Sequence, residues 1–125
     1  MSDSILIIES EYRLRKALTS ALSKANFEVA GTSNYNEALL KLSMFKPDIV
    51  IMDEVLPDKD GMEACYQLRD TFGIPVVLLG EDSSNEVWRR VMEATADFYL
   101  IKPFSYLELV ARVKAILRRY KARVP

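Results

Sequence analysis

An α/β domain built on a parallel sheet is the fold class this sequence predicts, and three observations predict it. Short apolar runs alternate five times with amphipathic stretches, as βα repeats require. The runs are continuous, Ile5-Leu6-Ile7-Ile8 and Ile49-Val50-Ile51-Met52 most plainly, which suits strands covered on both faces. The length of 125 residues, half of them apolar, suffices for one core without disulfides or metals.

The elements follow in order. Residues 5–8 form the first strand. Leu14, Ala17, Leu18, Ala21, Leu22 and Ala25 recur at spacings of three and four, predicting an amphipathic helix. Residues 27–30 read as the second strand and 31–33 as a turn. Asn34 and Glu37 make a capping pair for a helix reaching about Phe45. The third strand is 49–52, followed by a helix over about 62–71. Pro75 opens a fourth strand, 76–79. Ser83 with Glu86 and Ser105 with Glu108 fit the S-x-x-E capping box and mark the starts of the fourth and fifth helices. Residues 98–101 supply the fifth strand between them. No repeat or low-complexity stretch interrupts the pattern, and no linker precedes Arg118.

Composition excludes several functions. No apolar run approaches the roughly 20 residues that span a bilayer, and no basic region precedes an apolar one near the N-terminus, so neither membrane nor export is expected. The expected location is cytoplasmic. The lone Cys65, among Ala64, Tyr66 and Leu68, reads as a packed small residue. The chain has no histidine, hence no imidazole for general-base work, zinc binding or phosphate donation. Arg112, Lys114, Arg118, Arg119, Lys121 and Arg123 follow one another with no acid between them. That run is either a nucleic-acid contact or, the plainer reading, helix C-terminal cations favoured by the macrodipole and leading into a polar linker.

Residues 47–61, PDIVIMDEVLPDKDG, carry the most information. A buried strand ends in Asp53 and Glu54, and a Pro57–acid–acid–Gly61 turn follows. An Asp at the C-terminal end of such a strand lies where open α/β sheets bind ligands. This segment resembles the phosphoacceptor segment of receiver domains of two-component response regulators, and the resemblance runs from Ile5 to Lys102-Pro103-Phe104. It implies a flavodoxin-like (βα)5 three-layer sandwich with strand order 2-1-3-4-5. It also implies that residues 1–119 are the receiver domain and 120–125 the start of a linker to a DNA-binding domain.

The resemblance assigns roles residue by residue. Asp53 stands at the phosphoacceptor position and Lys102 at that of the phosphoryl-pairing lysine, whose bond to proline is typically cis. Lys102 is also expected to pair with Asp53 if metal is lost. The family's Mg²⁺ would fall to Glu9, Asp53 and the carbonyl of Val55, with Ser10 in place of an acid. A neutral hydroxyl there removes a charge interaction, so a weakened Mg²⁺ site is expected. Ser10 is alternatively the N-cap of the first helix, which is the favoured reading. Glu54 is an extra ligand or, preferably, a solvated carboxylate. Gly80 stands where the family has Thr or Ser, so a phosphoryl-binding hydroxyl is missing. Glu81 either brings negative charge to the pocket mouth or faces away from it. Tyr99 matches the aromatic switch, and without a side chain at Gly80 it is expected to turn inward in the absence of phosphate.

Residues 105–120 are close to the last receiver helix of OmpR/PhoB-type winged-helix transcription regulators. The resemblance implies a homodimer through the fourth helix, fifth strand and fifth helix, with Asp97, Glu108 and Arg112 at charged positions and Arg89 or Arg90 serving from helix four. Phe98 replaces a second acid. The fifth helix carries two apolar rows, Leu107–Val110–Ala111–Leu117 and Leu109–Val113–Ile116–Tyr120, of which the sheet needs only one.

The expected function is therefore that of an atypical receiver, regulatory rather than enzymatic, acting in signal transduction and transcription with weak or no dependence on aspartyl phosphorylation. A histidine kinase is the implied partner, and DNA would be reached only through an effector domain outside this chain. The alternative is an ordinary receiver with Mg²⁺-dependent phosphorylation of Asp53. A flavodoxin-like cofactor binder is disfavoured, because Glu9-Ser10-Glu11-Tyr12-Arg13 offers no phosphate cradle after strand one.

Overall fold

The computed structural model describes residues 2–122. Five strands form where the chain is apolar on both faces: β1 (Ser4–Ile8), β2 (Glu28–Thr32), β3 (Ile49–Asp53), β4 (Val76–Gly80) and β5 (Phe98–Ile101). Five helices connect or follow them: α1 (Tyr12–Lys24), α2 (Tyr35–Phe45), α3 (Gly61–Phe72), α4 (Asn85–Glu93) and α5 (Tyr106–Ala122). All pairings are parallel, and the sheet order is β2-β1-β3-β4-β5. This is the expected flavodoxin-like arrangement.

Alternating strand side chains point to opposite faces, which divides the core in two. Ile5, Ile7, Ile49 and Ile51 meet Leu18 and Leu22 of α1 and Leu109, Val113 and Ile116 of α5. Leu6, Ile8, Val50 and Met52 meet Leu42 of α2, Leu68 of α3 and Val91 of α4. The sheet therefore lies between a two-helix layer and a three-helix layer. Chain connections leave β1 and β3 toward opposite layers, opening a crevice at their adjacent C-terminal ends.

Helix starts are set by side chains that accept orphan backbone N–H groups. Asn34 accepts from Glu37 at 2.8 Å, as predicted, and Glu37 in turn accepts from the Ser33 backbone at 3.0 Å. Ser105 accepts from the Glu108 N–H at 3.3 Å. Two expected caps are displaced by one residue. α1 is capped by Glu11, whose carboxylate accepts from Leu14 at 2.6 Å, rather than by Ser10. α4 is capped by Ser84, bonded to Val87, rather than by Ser83. In each case the residue three positions before the first reachable N–H takes the role. β2 also runs past the expected turn to Thr32, because edge pairing with β1 continues to Ile8↔Thr32. α5 continues to Ala122, and residues 123–125 of the expected linker, with Arg123, lie outside the described residues.

Gly61 explains the glycine that ends the acidic turn. A Cβ there would lie 2.5 Å from Glu54 Cα, against backbone that cannot yield, and its N–H donates to the Glu54 carbonyl at 3.1 Å. Cys65 is buried with its Sγ toward the Ala94 carbonyl, and burial pushes its thiol up to about 12. It is a packed residue, as expected.

Candidate functional site

The C-terminal ends of β1, β3, β4 and β5 enclose a hollow of about 320 Å³ lined by Glu9, Ser10, Asp53, Glu54, Val55, Gly80, Glu81 and Lys102. Asp53 is the last residue of β3 and is 5% exposed. Its Oδ1 accepts from the Val55 N–H at 2.8 Å, and its Oδ2 is ion-paired with Lys102 Nζ. Glu9, directly after β1, is held by its own N–H to the Thr32 carbonyl at 3.0 Å. Arg15 donates to the Glu9 carbonyl at 2.7 Å. Glu9 Oε2 accepts from the Glu11 N–H at 3.0 Å. Lys102 reaches the hollow from the end of β5, where its N–H donates to the Gly80 carbonyl at 2.7 Å and its bond to Pro103 is cis.

The electrostatics follow from two buried carboxylates sharing one ammonium. Burial, with Asp53 beside it, pushes Glu9 from 4.5 up to about 7. Burial pulls Lys102 down, but Asp53 and Glu9 outweigh it and hold the ammonium above its ordinary value. Lys102 Nζ lies 3.8 Å from Glu9 Oε1. That oxygen is buried and has no hydrogen-bond partner among the described residues.

The orphaned oxygen bears on the Mg²⁺ that receiver domains typically bind. Two carboxylates and a backbone carbonyl are hard oxygen donors of the type Mg²⁺ takes, and Glu9 Oε1 is a donor such a cation would satisfy. The residues present therefore fit the ion: Glu9, Asp53 and the Val55 carbonyl would hold it. When bound, it would offset charge on a phosphoryl group transferred to Asp53. Among the described residues no group of three or more acidic, Cys or His side chains forms a metal cluster.

The other side of the hollow is arranged by volume. Tyr99 on β5 is 3% exposed. Its hydroxyl donates toward Glu54 Oε2 at 3.1 Å and lies 3.0 Å from the Asp82 carbonyl. A Cβ on Gly80 would overlap that hydroxyl, lie 2.6 Å from Tyr99 Cζ and 2.7 Å from Glu54 Cδ. The space of a residue-80 side chain is thus filled by Tyr99 and Glu54. Burial raises the Tyr99 phenol to about 12, with the Glu54 carboxylate adding to the rise; burial also shifts Glu54 upward, against the Tyr99 hydrogen bond, which favours its charged form. The solvated carboxylate expected at Glu54 is corrected: it is half-buried and bonded to Tyr99. Trp88 of α4 closes this side, edge-on to Tyr99 at 5.1 Å between centroids. The Glu54–Tyr99 bond was missed at the sequence level because a period-two pattern does not say which way a loop carboxylate folds; the absent Cβ at Gly80 was the available signal.

Ser10 and Glu81 are exposed and line the hollow, Glu81 close enough to raise Lys102. Of the residues expected on the α4-β5-α5 face, Arg89, Glu108 and Arg112 are exposed, whereas Arg90, also exposed, is turned toward α3, where it lines a hollow with Asp60, Met62 and Tyr66. Arg90 is ion-paired with Asp60 at 3.0 Å, and Arg112 stacks on Phe98 at 4.5 Å. Asp97 is committed within the chain: it accepts from the Val76 N–H at 2.8 Å and the Tyr120 hydroxyl at 2.7 Å, and pairs with Arg69 at 3.2 Å. The row Leu109–Val113–Ile116, with Leu117, is buried against the sheet, whereas Leu107 is 84% exposed. Trp88 and Met92 of α4 are also exposed. No described helix is long and apolar enough to cross a membrane.

Comparison with known proteins agrees with this geometry. The response regulator receiver domain model matches residues 5–114. The chain is 35% identical over 115 residues to the transcriptional regulatory protein ResD of Bacillus subtilis, covering 92% of this chain and 48% of that protein. It is 37% identical over 119 residues to the KDP operon transcriptional regulatory protein KdpE of Escherichia coli, covering 95% and 53%. The chain thus spans about half the length of these relatives. Among solved structures, a two-component response regulator from Clostridium difficile superposes with a TM-score of 0.89 at 29% identity, covering 95% of this chain and 98% of that one. With the family model covering most of the chain and its crevice carrying Asp53 and Lys102 side by side, this protein belongs to the response regulator receiver domain family.

Proposed function

We propose that this chain is an atypical receiver, a regulatory module in signal transduction and transcription whose output face is set with weak or no dependence on phosphate at Asp53. One observation carries the reading: the Tyr99 hydroxyl fills the space that a side chain at residue 80 would need, and Glu54 and the Asp82 carbonyl hold it there. A ligand shifts a conformational equilibrium only by its differential affinity for the two states. With no hydroxyl at Gly80 to follow a phosphoryl group, phosphorylation has little leverage on Tyr99, and Tyr99 already supports Trp88 and α4.

Under this reading Mg²⁺ affinity at Glu9, Asp53 and Val55 is weakened by Ser10, and Lys102 neutralises Asp53 in place of metal. A homodimer through the α4-β5-α5 face is part of the proposal. Its support is the exposed apolar pair Trp88 and Met92, one turn apart on α4. Arg112 and Phe98 present a stacked pair at that surface rather than two charges. A histidine kinase partner is supported by membership of the receiver family, and action on DNA through an effector domain by the relatives being transcriptional regulators.

The ordinary receiver is the second reading, favoured by Glu9 Oε1, which has no hydrogen-bond partner among the described residues and which a cation would satisfy. The experiment that separates them treats the chain with Mg²⁺ and acetyl phosphate, or with beryllofluoride. Mass at Asp53, Trp88 fluorescence and dimer fraction by light scattering are then followed. The proposal expects little modification, unchanged fluorescence and a dimer present beforehand. Stoichiometric modification that drives dimerisation would overturn it.

A further inference from the structure

The formal charge of −1 conceals a separation of charge between the two helical layers. α1 carries Arg13, Arg15, Lys16 and Lys24 and no acid. α5 carries five cations and one acid, Glu108. The pair packs on one face of the sheet, so this layer is close to +8 while the rest of the chain is close to −9.

The cations are also available. Arg13, Lys16, Lys24, Lys114 and Arg118 are exposed, and none of them is in an ion pair among the described residues. Lys114 lines a shallow hollow with Ala25, Asn26 and Phe27 at the end of α1, which joins the two sets; the one acid in that hollow, Asp3, is paired with Lys121. On α1, Ser20 and Ser23 are exposed among the cations, adding hydroxyl donors of the kind that contact phosphate oxygens.

We infer that the α1–α5 face binds the phosphate backbone of duplex DNA. The inference does not depend on phosphorylation at Asp53 or on Tyr99. α5, with 17 residues, is about 25 Å long at ~1.5 Å per residue, long enough to follow roughly seven base pairs at ~3.4 Å each. Two alternatives fit less well. An anionic membrane surface calls for a row of apolar anchors on the docking face; the exposed large apolar side chains of the two helices are only Tyr12 at the start of α1 and Leu107 at the start of α5, with none from Arg13 to Lys24 or from Lys114 to Arg118 among the described residues. The acidic pole of a second copy is partly spent inside the chain, with Asp60 on Arg90 and Asp58 accepting from the Tyr35 and Asn36 N–H groups.

The test is fluorescence anisotropy of a labelled 30-base-pair duplex titrated with the chain over about 50–200 mM salt. Binding is expected in the micromolar range at the lowest salt, with log K falling against log salt at a slope of about −4.5, as roughly five neutralised phosphates require. The double variants Lys16→Glu/Lys24→Glu and Lys114→Glu/Arg118→Glu should each weaken binding about tenfold or more and flatten the slope. Both alter exposed positions, and their circular dichroism and thermal melts should match the parent. Lys41→Glu, on α2 in the opposite layer, should leave binding unchanged. Absence of binding at 50 mM salt, or binding that survives both reversals, overturns the inference. So does salt-dependent self-association, or capture by phosphatidylserine vesicles, in place of duplex binding.

Discussion

The two sides of the crevice hold together by different physics. Glu9, Asp53 and Lys102 interlock by charge: each is buried or half-buried, and each justifies the others. Across the hollow, Gly80, Tyr99 and Glu54 interlock by volume, one residue's missing Cβ being another's hydroxyl site. Removing a member of the ionic side strands buried charge. Changing a member of the steric side only reassigns space, because Tyr99 can fill it and still satisfy its hydroxyl. A crevice can therefore keep its reactive carboxylate and ammonium while the coupling between that chemistry and the surface is altered by a single small residue.

The largest effect expected from breaking this contrast is on the ionic side. Lys102→Met leaves Asp53 and Glu9 buried without their cation, and losing one partner of a buried pair costs about 3–5 kcal/mol. Urea unfolding at neutral pH should show the loss. A variant within about 1 kcal/mol of the parent would mean that solvent already screens the pair. Gly80→Thr comes next and tests the steric side. Its Cβ cannot coexist with the inward Tyr99, so either Tyr99 moves out or the pocket is overpacked, at about 1–3 kcal/mol. Trp88, edge-on to Tyr99, should report the departure as a fluorescence change. If beryllofluoride then reverses that change, the hydroxyl has restored the coupling.

The same contrast explains how much could be read from sequence. The ionic side was legible: the continuous run from Ile49 ending in Asp53, and Lys102-Pro103-Phe104 after β5, place charged residues at strand ends by a rule of topology. Strand order and core also followed from the apolar pattern, since Ile5 and Leu6 must face opposite layers. Glu11 as a cap and Asp97 as an internal acceptor were less legible. Both are choices among adjacent polar residues whose propensities are nearly equal, and geometry decides them. The Glu54–Tyr99 bond belongs to this second kind. It depends on a loop carboxylate folding back over a glycine 26 positions along the chain, which no local pattern encodes. The charge of α1 was visible in sequence, but its significance required α5 to be placed beside it.

A smaller effect appears as a slope with pH. Glu9 is raised from 4.5 to about 7 by burial and by Asp53, so over that window the native state keeps a proton that the unfolded state releases. The stability it contributes is full below about 4.5 and is lost as pH rises through about 7. Glu9→Gln, which cannot titrate, should gain on the parent steadily between pH 5 and 8 in parallel urea titrations. Glu54, also shifted upward, adds a slope of the same sign that remains in the variant. A parent-minus-variant difference that is flat with pH would place Glu9 in better contact with water than its burial implies.

The smallest effect is the most specific. Tyr99→Phe keeps the ring against Trp88 and removes only the hydroxyl with its contacts to Glu54 at 3.1 Å and Asp82 at 3.0 Å. The expected cost is about 1 kcal/mol, a typical net value for such hydrogen bonding, and Glu54 would lose a partner that favours its charged form. The same substitution in a Gly80→Thr background should cost nearly nothing, since there the hydroxyl has already left the hollow. The double-mutant cycle then returns a coupling close to the whole single-variant effect. Equal costs in the two backgrounds would mean that Gly80 and Tyr99 act independently, and the steric side of the crevice would lose its claim to set the position of α4.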